Sequence, residues 1–245
     1  MFPLIRGWTD VQRSPEANLR LGLVLTFVAG ATNAGGFLAV GSYTSHMTGI
    51  VSSVADDLVL GNMTLALAGV VCLGAFVSGA MCTAIMVNWG LRLQLRSSYC
   101  LPLLLESAAL LVFGIFGTAI AAWSQQFVPL TVLLLCFIMG LQNAVITKIS
   151  KAEIRTTHIT GLVTDLGIEL GKLVYMNRRP HGHRVRAERQ RLRVQLVLVL
   201  GFFMGGLTGA LGFKHWGFIT TVPLAATLWI LCLRPLLLDL RGRAT

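Results

Sequence analysis

The chain has 245 residues, of which 55% are hydrophobic and 12% are charged, and its formal net charge is +10. Soluble globular domains carry about 25% charged residues, so this composition excludes an ordinary soluble domain. The apolar residues fall in long blocks, which is typical of helices embedded in lipid.

Six apolar blocks follow one another along the chain. Each is near the roughly 20 residues that a helix needs to cross about 30 Å of hydrocarbon. Helices are expected because an open sheet edge is unstable in lipid. Arg20 and the apolar stretch after it imitate a signal peptide, but we expect the first span to stay uncleaved, like its counterpart in the repeat described below. The predicted spans are Leu19–Gly41, Met63–Trp89, Leu101–Trp123, Val128–Lys148, Val194–Gly212 and Phe218–Leu233.

The basic residues predict how these spans are oriented. Nineteen of the twenty Lys and Arg residues fall on one side of the predicted spans, and only Lys214 falls on the other. Lys and Arg are enriched in cytoplasmic loops. The sequence therefore predicts a multi-pass protein of the bacterial inner (cytoplasmic) membrane, with both termini in the cytoplasm.

One segment, "RRPHGHRVRAERQRLR" at residues 178–193, is strongly basic. Such a run can bind nucleic acid. Its position between two spans instead favours a topology signal that also contacts anionic lipid head groups, with no nucleic-acid partner. His181 and His183 form an H-x-H pair, but no acidic residue or cysteine nearby completes a metal site, so we expect a solvated loop.

The sequence carries no recognised signature of catalysis or of metal or cofactor binding. The sequence contains no GxGxxG, P-loop, HExxH or GxSxG element. The five cysteines are scattered and odd in number, which favours buried apolar side chains over disulfides or a zinc site. We expect neither an enzyme nor a protein that binds a metal or cofactor. The cysteines are Cys72, Cys82, Cys100, Cys136 and Cys232.

A short motif occurs twice. "TSHMTGIVSSVADDL" at residues 44–58 matches "TTHITGLVTDLGIEL" at residues 156–170 at an offset of 112. Upstream, Asn33-Ala34 pairs with Asn143-Ala144, and downstream "AFVSG" (75–79) resembles "FFMGG" (202–206). Three spans and one motif segment therefore recur in the same order, which indicates a duplicated unit.

An odd number of crossings in each copy places the second copy upside down in the membrane. The predicted fold is an all-α integral membrane protein with about six transmembrane helices in two inverted three-helix repeats. Each repeat carries a Thr-Gly motif segment, which is either a half-helix entering the membrane or an interfacial helix. The predicted units are a cytoplasmic tail at 1–18, the repeats at 19–124 and 125–238, the second including the basic loop 174–193, and a cytoplasmic tail at 239–245.

The motif residues suit the start of a helix. Thr44 and Ser45 in the first copy, or Thr156 and Thr157 in the second, are expected to cap free N–H groups, and the glycine permits close approach of a neighbour. Positions seven and eleven after each histidine lie on one helical face. This polar face is either wet at the membrane surface or lines a path for substrate or protons. The candidate pathway residues are His46, Thr48, Gly49 and Asp57 in the first motif, and Thr157, His158, Thr160, Gly161, Asp165 and Glu169 in the second.

Other polar residues lie within the predicted spans. Glu106 lies near the cytoplasmic end of the third span, where it could form a salt bridge with Arg92 or Arg96 or take part in an ion path. Asn33, Gln142 and Asn143 lie just before the motif segments. They could bond backbone groups freed at a helix break or contact a ligand.

The segments "NAGGFLAVGSYTSHMTGIVSSVADDL" and "GLQNAVITKISKAEIRTTHITGLVTDLGIELGK" resemble the YoaK-type family of bacterial membrane proteins, a domain-of-unknown-function family. The family more often has Asp at the position of Asn33 and other residues at those of His46 and His158. The resemblance therefore favours the Thr-Gly pairs and Gln142-Asn143 over the histidines as shared functional groups. It implies a multi-span inner-membrane protein and brings no substrate or reaction.

Two functions are the leading interpretations of these features, and a third, a membrane enzyme, would need the His, Asp and Glu side chains of the motif faces to form an acid–base set. One is a small transporter or channel-like permease for a polar or anionic solute, with its site where the two motif segments meet. The other is a non-transporting sensor, scaffold or assembly factor whose basic loop contacts a partner. Either could be a homo-oligomer, and architecture alone does not choose between them.

Overall fold

The computed structural model describes residue 9 and residues 14–123, 130–150, 157–176 and 184–242. Eight α-helices form this part of the chain, with no β-strand among the residues described. A short 3-10 helix, Gly217–Thr220, joins the last two. The α-helices are α1 Pro15–Val40, α2 Met47–Val59, α3 Met63–Arg92, α4 Cys100–Trp123, α5 Leu130–Ile149, α6 Ile159–Val174, α7 Arg189–Trp216 and α8 Thr221–Gly242.

The ends of α1 follow from its sequence. The Ser14 side chain accepts a hydrogen bond from the Ala17 N–H (3.2 Å), and proline at the first helical position loses no helical hydrogen bond there. At the other end Gly41 takes a left-handed conformation (φ 73°), and its N–H bonds the Phe37 carbonyl oxygen. Because a residue with a side chain is strained at this φ, glycine allows the chain to turn sharply here.

Five helical stretches in the described residues are long and apolar enough to cross a membrane, as in a multi-pass membrane protein. The fifth covers 53 residues and contains both α7 and α8. A straight helix of that length would be about 80 Å long, well over the thickness of the hydrocarbon core. The stretches are Glu16–Ala39, Met63–Arg92, Cys100–Gly117, Leu130–Ile149 and Arg189–Arg241.

The helix α8 is longer than the predicted span, which stopped at Leu233. It continues through Pro235 to Gly242, so residues 239–242 of the predicted tail are helical. Proline has no N–H, so it leaves the carbonyl of Leu231, four residues earlier, without its helical partner. The Thr9 hydroxyl, which is buried, donates to that carbonyl (3.1 Å) and satisfies it.

Helices of the first half of the chain pack against helices of the second half. Helices α1–α4 form the first half and α5–α8 the second half. The helix α1 packs mainly on α7, α3 on α5, and α4 on α8, while α2 packs on α3 and α6 on α7. The main core lies between α1, α4, α5, α7 and α8, where Leu25, Leu110, Phe113, Leu135 and Leu228 are fully buried.

Glycines permit the close crossing of α1 and α7. A Cβ atom at Gly30 would collide with the carbonyl oxygen of Phe202, and one at Gly205 would collide with that of Phe27. The two backbones therefore touch directly, as they do at membrane helix crossings built from small residues.

The crossing of α3 and α5 has the same arrangement. A Cβ atom at Gly79 would collide with the carbonyl oxygen of Phe137, and one at Gly140 would collide with that of Phe76. Gly79 thus occupies the position that Gly205 has in the other crossing. The alignment of "AFVSG" with "FFMGG" is wrong by one residue at this point.

Candidate functional site

Each Thr-Gly motif is attached to the membrane helix that precedes it in the chain. The Asn33 side-chain oxygen in α1 accepts hydrogen bonds from the Ser45 hydroxyl (2.8 Å) and the Ser45 N–H (3.3 Å). In the second half, the Asn143 side-chain oxygen in α5 accepts a hydrogen bond from the Thr157 hydroxyl (2.6 Å).

These bonds fix how far the chain turns back after each helix. Asn33 lies seven residues before Val40, where α1 ends, and Asn143 lies six residues before Ile149, where α5 ends. Six or seven residues are about two helical turns. Each motif helix therefore begins about two turns back from the end of the membrane helix that precedes it.

The capping expected from Thr44, Ser45 and Thr157 is wrong. The residues at the two N-caps are His46 and His158, and neither side chain forms a capping hydrogen bond. The Ser45 and Thr157 hydroxyls bond Asn33 and Asn143 instead. Thr44 is buried with its hydroxyl unpartnered, and Thr156 lies outside the described residues.

The motif glycines make room for the motif histidines. A Cβ atom at Gly49 would collide with the His46 ring, and one at Gly161 would collide with the His158 ring. The close neighbour that the glycines were expected to admit is therefore the histidine of the same motif, three residues earlier.

A cavity of about 940 Å³ lies beside the first motif, between α2, the first turns of α3, the start of α5 and residues 41–46. Pockets of about 300–1,000 Å³ hold small-molecule ligands. The predicted polar face His46, Ser53 and Asp57 lies on its wall, as do Thr44 and Thr64. Most of the remaining wall is apolar, and no Lys or Arg among the described residues contributes to it.

Two aromatic rings flank the cavity where the chain turns. The rings of Phe37 and Tyr43 are stacked, with centroids 4.4 Å apart, and both residues line the cavity. Sequence reasoning gave Phe37 and Tyr43 no role and expected Thr44 only to cap a helix, because their place at the cavity depends on how residues 41–46 turn back. The signal that the sequence offered for Phe37 and Tyr43 was their position between Asn33 and the motif.

The carboxylates of the second motif form ion pairs. Asp165 pairs with Arg191 at 3.3 Å, and Glu169 pairs with Lys172 at 2.7 Å. Glu169 also accepts a hydrogen bond from the N–H of Glu188 (2.8 Å). The bond from Lys172 and the bond from this N–H lower the pKa of Glu169. The Arg191 pair and the bond from the Glu188 N–H fasten α6 to the start of α7, whereas the pair of Glu169 with Lys172 lies within α6.

The structure does not bring the two motifs together in one cavity. Gly49 and the first polar face line the cavity described above, whereas none of the described residues of the second motif does. Thr48 and Thr160 are both exposed, and α2 and α6 share no extensive contact among the described residues. That the motifs supply halves of one site stays a prediction.

Two of the buried polar residues in the spans, Gln142 and Glu106, have different surroundings. The Gln142 amide nitrogen donates to the Leu25 carbonyl (2.9 Å), which ties α5 to α1. Glu106 is fully buried, and neither of its carboxyl oxygens has a hydrogen-bond partner. The salt bridge predicted between Glu106 and a loop arginine is therefore wrong.

The loop between α3 and α4 is held by another carboxylate. Asp239 of α8 accepts hydrogen bonds from the N–H groups of Arg96 and Ser97, both at 2.9 Å. Sequence reasoning assigned Asp239 to a tail and gave it no role. The signal that the sequence offered is that Asp239 is an acidic residue within an otherwise basic and apolar stretch.

Among the described residues, no group of three or more His, Cys, Asp or Glu side chains converges as metal ligands would. The pair His181 and His183 lies outside the described residues. All five cysteines have free thiols. Cys72 of α3 and Cys136 of α5 both line the cavity.

Comparison with known proteins gives a family and no described function. No curated protein matches the chain, and no solved structure matches it. A family model described as "Protein of unknown function (DUF1275)" matches residues 21–233. The resemblance to the YoaK-type proteins is confirmed by this match, which covers most of the chain: the protein belongs to the DUF1275 family.

Proposed function

We propose that the protein is a small transporter or channel-like permease of the bacterial inner membrane, with six spans in two inverted halves and both termini in the cytoplasm. The observation that carries the proposal is the geometry of the motifs. Each returns about two turns alongside its membrane helix and is held there by an asparagine. Helix breaks of this kind surround the substrate sites of many secondary transporters.

The contacts between helices support the inverted halves. Exchanging α1 with α5 and α3 with α7 turns the α1–α7 contact into the α5–α3 contact. Exchanging α2 with α6 likewise turns the α2–α3 contact into the α6–α7 contact. The glycines follow the same exchange, since Gly30 and Gly205 at one crossing correspond to Gly140 and Gly79 at the other.

The charges around the cavity bear on the solute. Asp57 lines the wall, and no basic side chain in the described parts of the chain does, so a carboxylate would repel an anion there. The aromatic and aliphatic wall favours a solute with an apolar portion. The solute that fits best is a small neutral or cationic organic molecule, in place of the anionic solute that the sequence left open.

Alternating access is the property that separates a transporter from the other candidate. In a background without native cysteines, Ser53→Cys should react with an impermeant maleimide from the outer side of the membrane. Thr44→Cys, which is buried in the cavity wall, should react from the outer side in right-side-out vesicles and from the inner side in inside-out vesicles. Ser52→Cys, next to the cavity but not in its wall, is the control. Reaction of Thr44→Cys from one side under every condition would exclude alternating access.

The solute class has its own test. Cationic solutes should stabilise the purified protein against heat, and Asp57→Asn should weaken that effect while sparing the effect of neutral solutes. Asp56→Asn is the matched control, because Asp56 is exposed on the same helix and does not line the cavity. An equal loss in both variants would show a general effect of negative charge and contradict the site.

One observation favours the non-transporting alternative. The ion pair of Asp165 with Arg191 and the hydrogen bond from the Glu188 N–H to Glu169 hold α6 beside the start of α7, where the described arginines of the basic segment are exposed. That arrangement suits a docking platform for a cytoplasmic partner. Loss of a partner complex in Arg189→Gln, with cavity accessibility unchanged, would favour this reading.

A further inference from the structure

Glu106 is an acidic side chain with no visible structural partner. It lies six residues after the start of α4 at Cys100 and is 0% exposed. Neither carboxyl oxygen has a hydrogen-bond partner. Glu169, the other buried acidic residue in the described parts of the chain, is fully engaged by Lys172 and the N–H of Glu188.

The groups around Glu106 do not neutralise a negative charge. Leu103 and Leu110, about one turn away on either side, are fully buried. The neighbouring Ser107 hydroxyl donates to the Ala225 carbonyl of α8 (2.8 Å) and not to the carboxyl group. Among the titratable side chains of α8, the Cys232 thiol is close enough to Glu106 to interact with it electrostatically.

The charged side chains on the helices packed against α4 do not pair with Glu106. Lys148 of α5 donates to Asn88 (2.9 Å), and Asp239 of α8 binds the loop N–H groups. Arg92 lies at the end of α3. No described basic side chain forms an ion pair with Glu106. The basic residues on the helices packed against α4 are Arg92, Lys148, Arg234 and Arg241.

An ionised carboxylate in such surroundings costs many kcal/mol, and proteins avoid the cost by keeping the group neutral. A neutral acid still leaves its own hydroxyl unpaired, whereas a leucine of similar size would pack without that penalty. Intramembrane acids of this kind mark proton or ion pathways.

We propose that Glu106 is a proton-binding site, protonated in the conformation described here and deprotonated when another conformation admits water to it. The proposal rests on the transporter function and names the proton as the coupling ion. The carboxylate takes a proton from hydronium on one side of the membrane, and the acid later gives it to water on the other. One proton moves in each cycle, with no electron transfer.

Infrared spectroscopy tests the site without any solute. The full-length protein in lipid nanodiscs should show the carbonyl-stretch band of a protonated carboxylic acid at neutral pH. Glu106→Gln should lose this band completely, Glu106→Asp should keep it at a shifted frequency, and the exposed-site control Asp56→Asn should leave it unchanged. Absence of the band in the wild type, or its persistence in Glu106→Gln, would overturn the proposal.

A carbodiimide gives a second measurement that does not depend on the glutamine variant folding well. Dicyclohexylcarbodiimide reacts with protonated carboxyl groups in apolar surroundings. Mass spectrometry of the wild type should find the adduct on Glu106, with less adduct at alkaline pH. Adducts on other carboxyl groups alone would contradict a protonated Glu106.

Proton flux into dye-loaded proteoliposomes separates this proposal from the transporter function. Flux that falls to the protein-free level in Glu106→Gln supports both. Flux that persists unchanged in Glu106→Gln would overturn Glu106 as the coupling site and leave transport standing. If the infrared band titrates with pH but the wild type carries neither protons nor solute, the transporter function fails and Glu106 remains a proton-binding site.

Discussion

Asn33 and Asn143 are the side chains that set the position of the two motifs. Each has its amide oxygen in hydrogen bonds with a residue just before a motif helix, and these atoms are partly buried. Asn143 also donates to the Met139 carbonyl of its own helix (2.8 Å), which fixes its orientation. Removal of such a partner leaves polar atoms unsatisfied away from water.

Asn33→Ala and Asn143→Ala should each lower the free energy of unfolding by about 1–2 kcal/mol, the cost of an unsatisfied partly buried hydrogen-bonding group. Thermal unfolding of the purified protein in detergent measures the change. Asn88→Ala is the control, since its bond to Lys148 is exposed and exposed polar contacts contribute little. An equal loss in the control would refute the special role of the two asparagines.

Residue chemistry was predicted better than residue contacts. The sequence singled out Asn33, Asn143 and Glu106, because uncharged amides and a lone acid stand out in apolar blocks. It missed the partners of Asn33 and Asn143 because Ser45 and Thr157 lie 12 and 14 residues away across a turn. The error at Glu106 has a similar cause: depth along α4 can be counted, but the direction of the side chain depends on packing against α8.

At the scale of elements, the α6–α7 junction depends on the ionised state of Glu169. Because the pKa of Glu169 is lower in the folded protein than in the unfolded chain, its contribution to stability is full above the unfolded pKa. That contribution is lost as the pH falls through the lowered folded pKa.

Glu169→Gln should therefore reduce thermal stability at neutral pH, and the difference from the wild type should shrink as the pH falls below the ordinary range of a glutamate. Unfolding curves of both proteins over a series of acidic buffers measure this. Asp56→Asn, on an exposed surface of α2, should show no such pH-dependent difference. A difference between Glu169→Gln and the wild type that is constant with pH would mean that packing, and not charge, holds the junction.

Element positions followed from hydropathy more closely than element ends did. Each of the six apolar blocks is helical over most of its described residues, since a membrane span must satisfy its own backbone hydrogen bonds in lipid. The end of α8 was wrong because a proline normally stops a helix, and the compensating bond from Thr9 spans 222 residues. Both motif segments became helices, α2 and α6, but with histidine at the N-cap.

At the scale of the whole molecule, the orientation in the membrane is a separate prediction. Reporter fusions after Arg96 and Arg186 should be active in the cytoplasm, and a fusion after His215 should be active on the outer side, because Lys and Arg concentrate in cytoplasmic loops. The assay compares a cytoplasmic and a periplasmic reporter at each position. If fusions after Arg186 and His215 reported the same side, α7 would not cross the membrane and the six-span topology would be wrong.

The duplicated motif predicted that the chain consists of two related units, but it could not show how they pack. The structure pairs α1 with α7 and α3 with α5, so that the long first helix of each half packs mainly on the other half. Sequence alone cannot supply this, because glycines such as Gly30 and Gly79 mark a close crossing without naming the helix that crosses there.

Because each half buries its first helix against the other, neither half should be stable alone. Fragments 1–126 and 127–245, expressed separately, should be degraded or aggregate, since α1 and α5 would expose their glycine faces. Co-expressed, they should assemble and purify together through a tag on either fragment.

Gly205→Leu in the second fragment should abolish co-purification, because its side chain would meet the backbone at Phe27. Gly167→Leu, in the same fragment at an exposed glycine with open space around it, should have no effect. A first fragment that folds and inserts stably without the second would mean that the α1–α7 and α3–α5 pairs do not hold the molecule together.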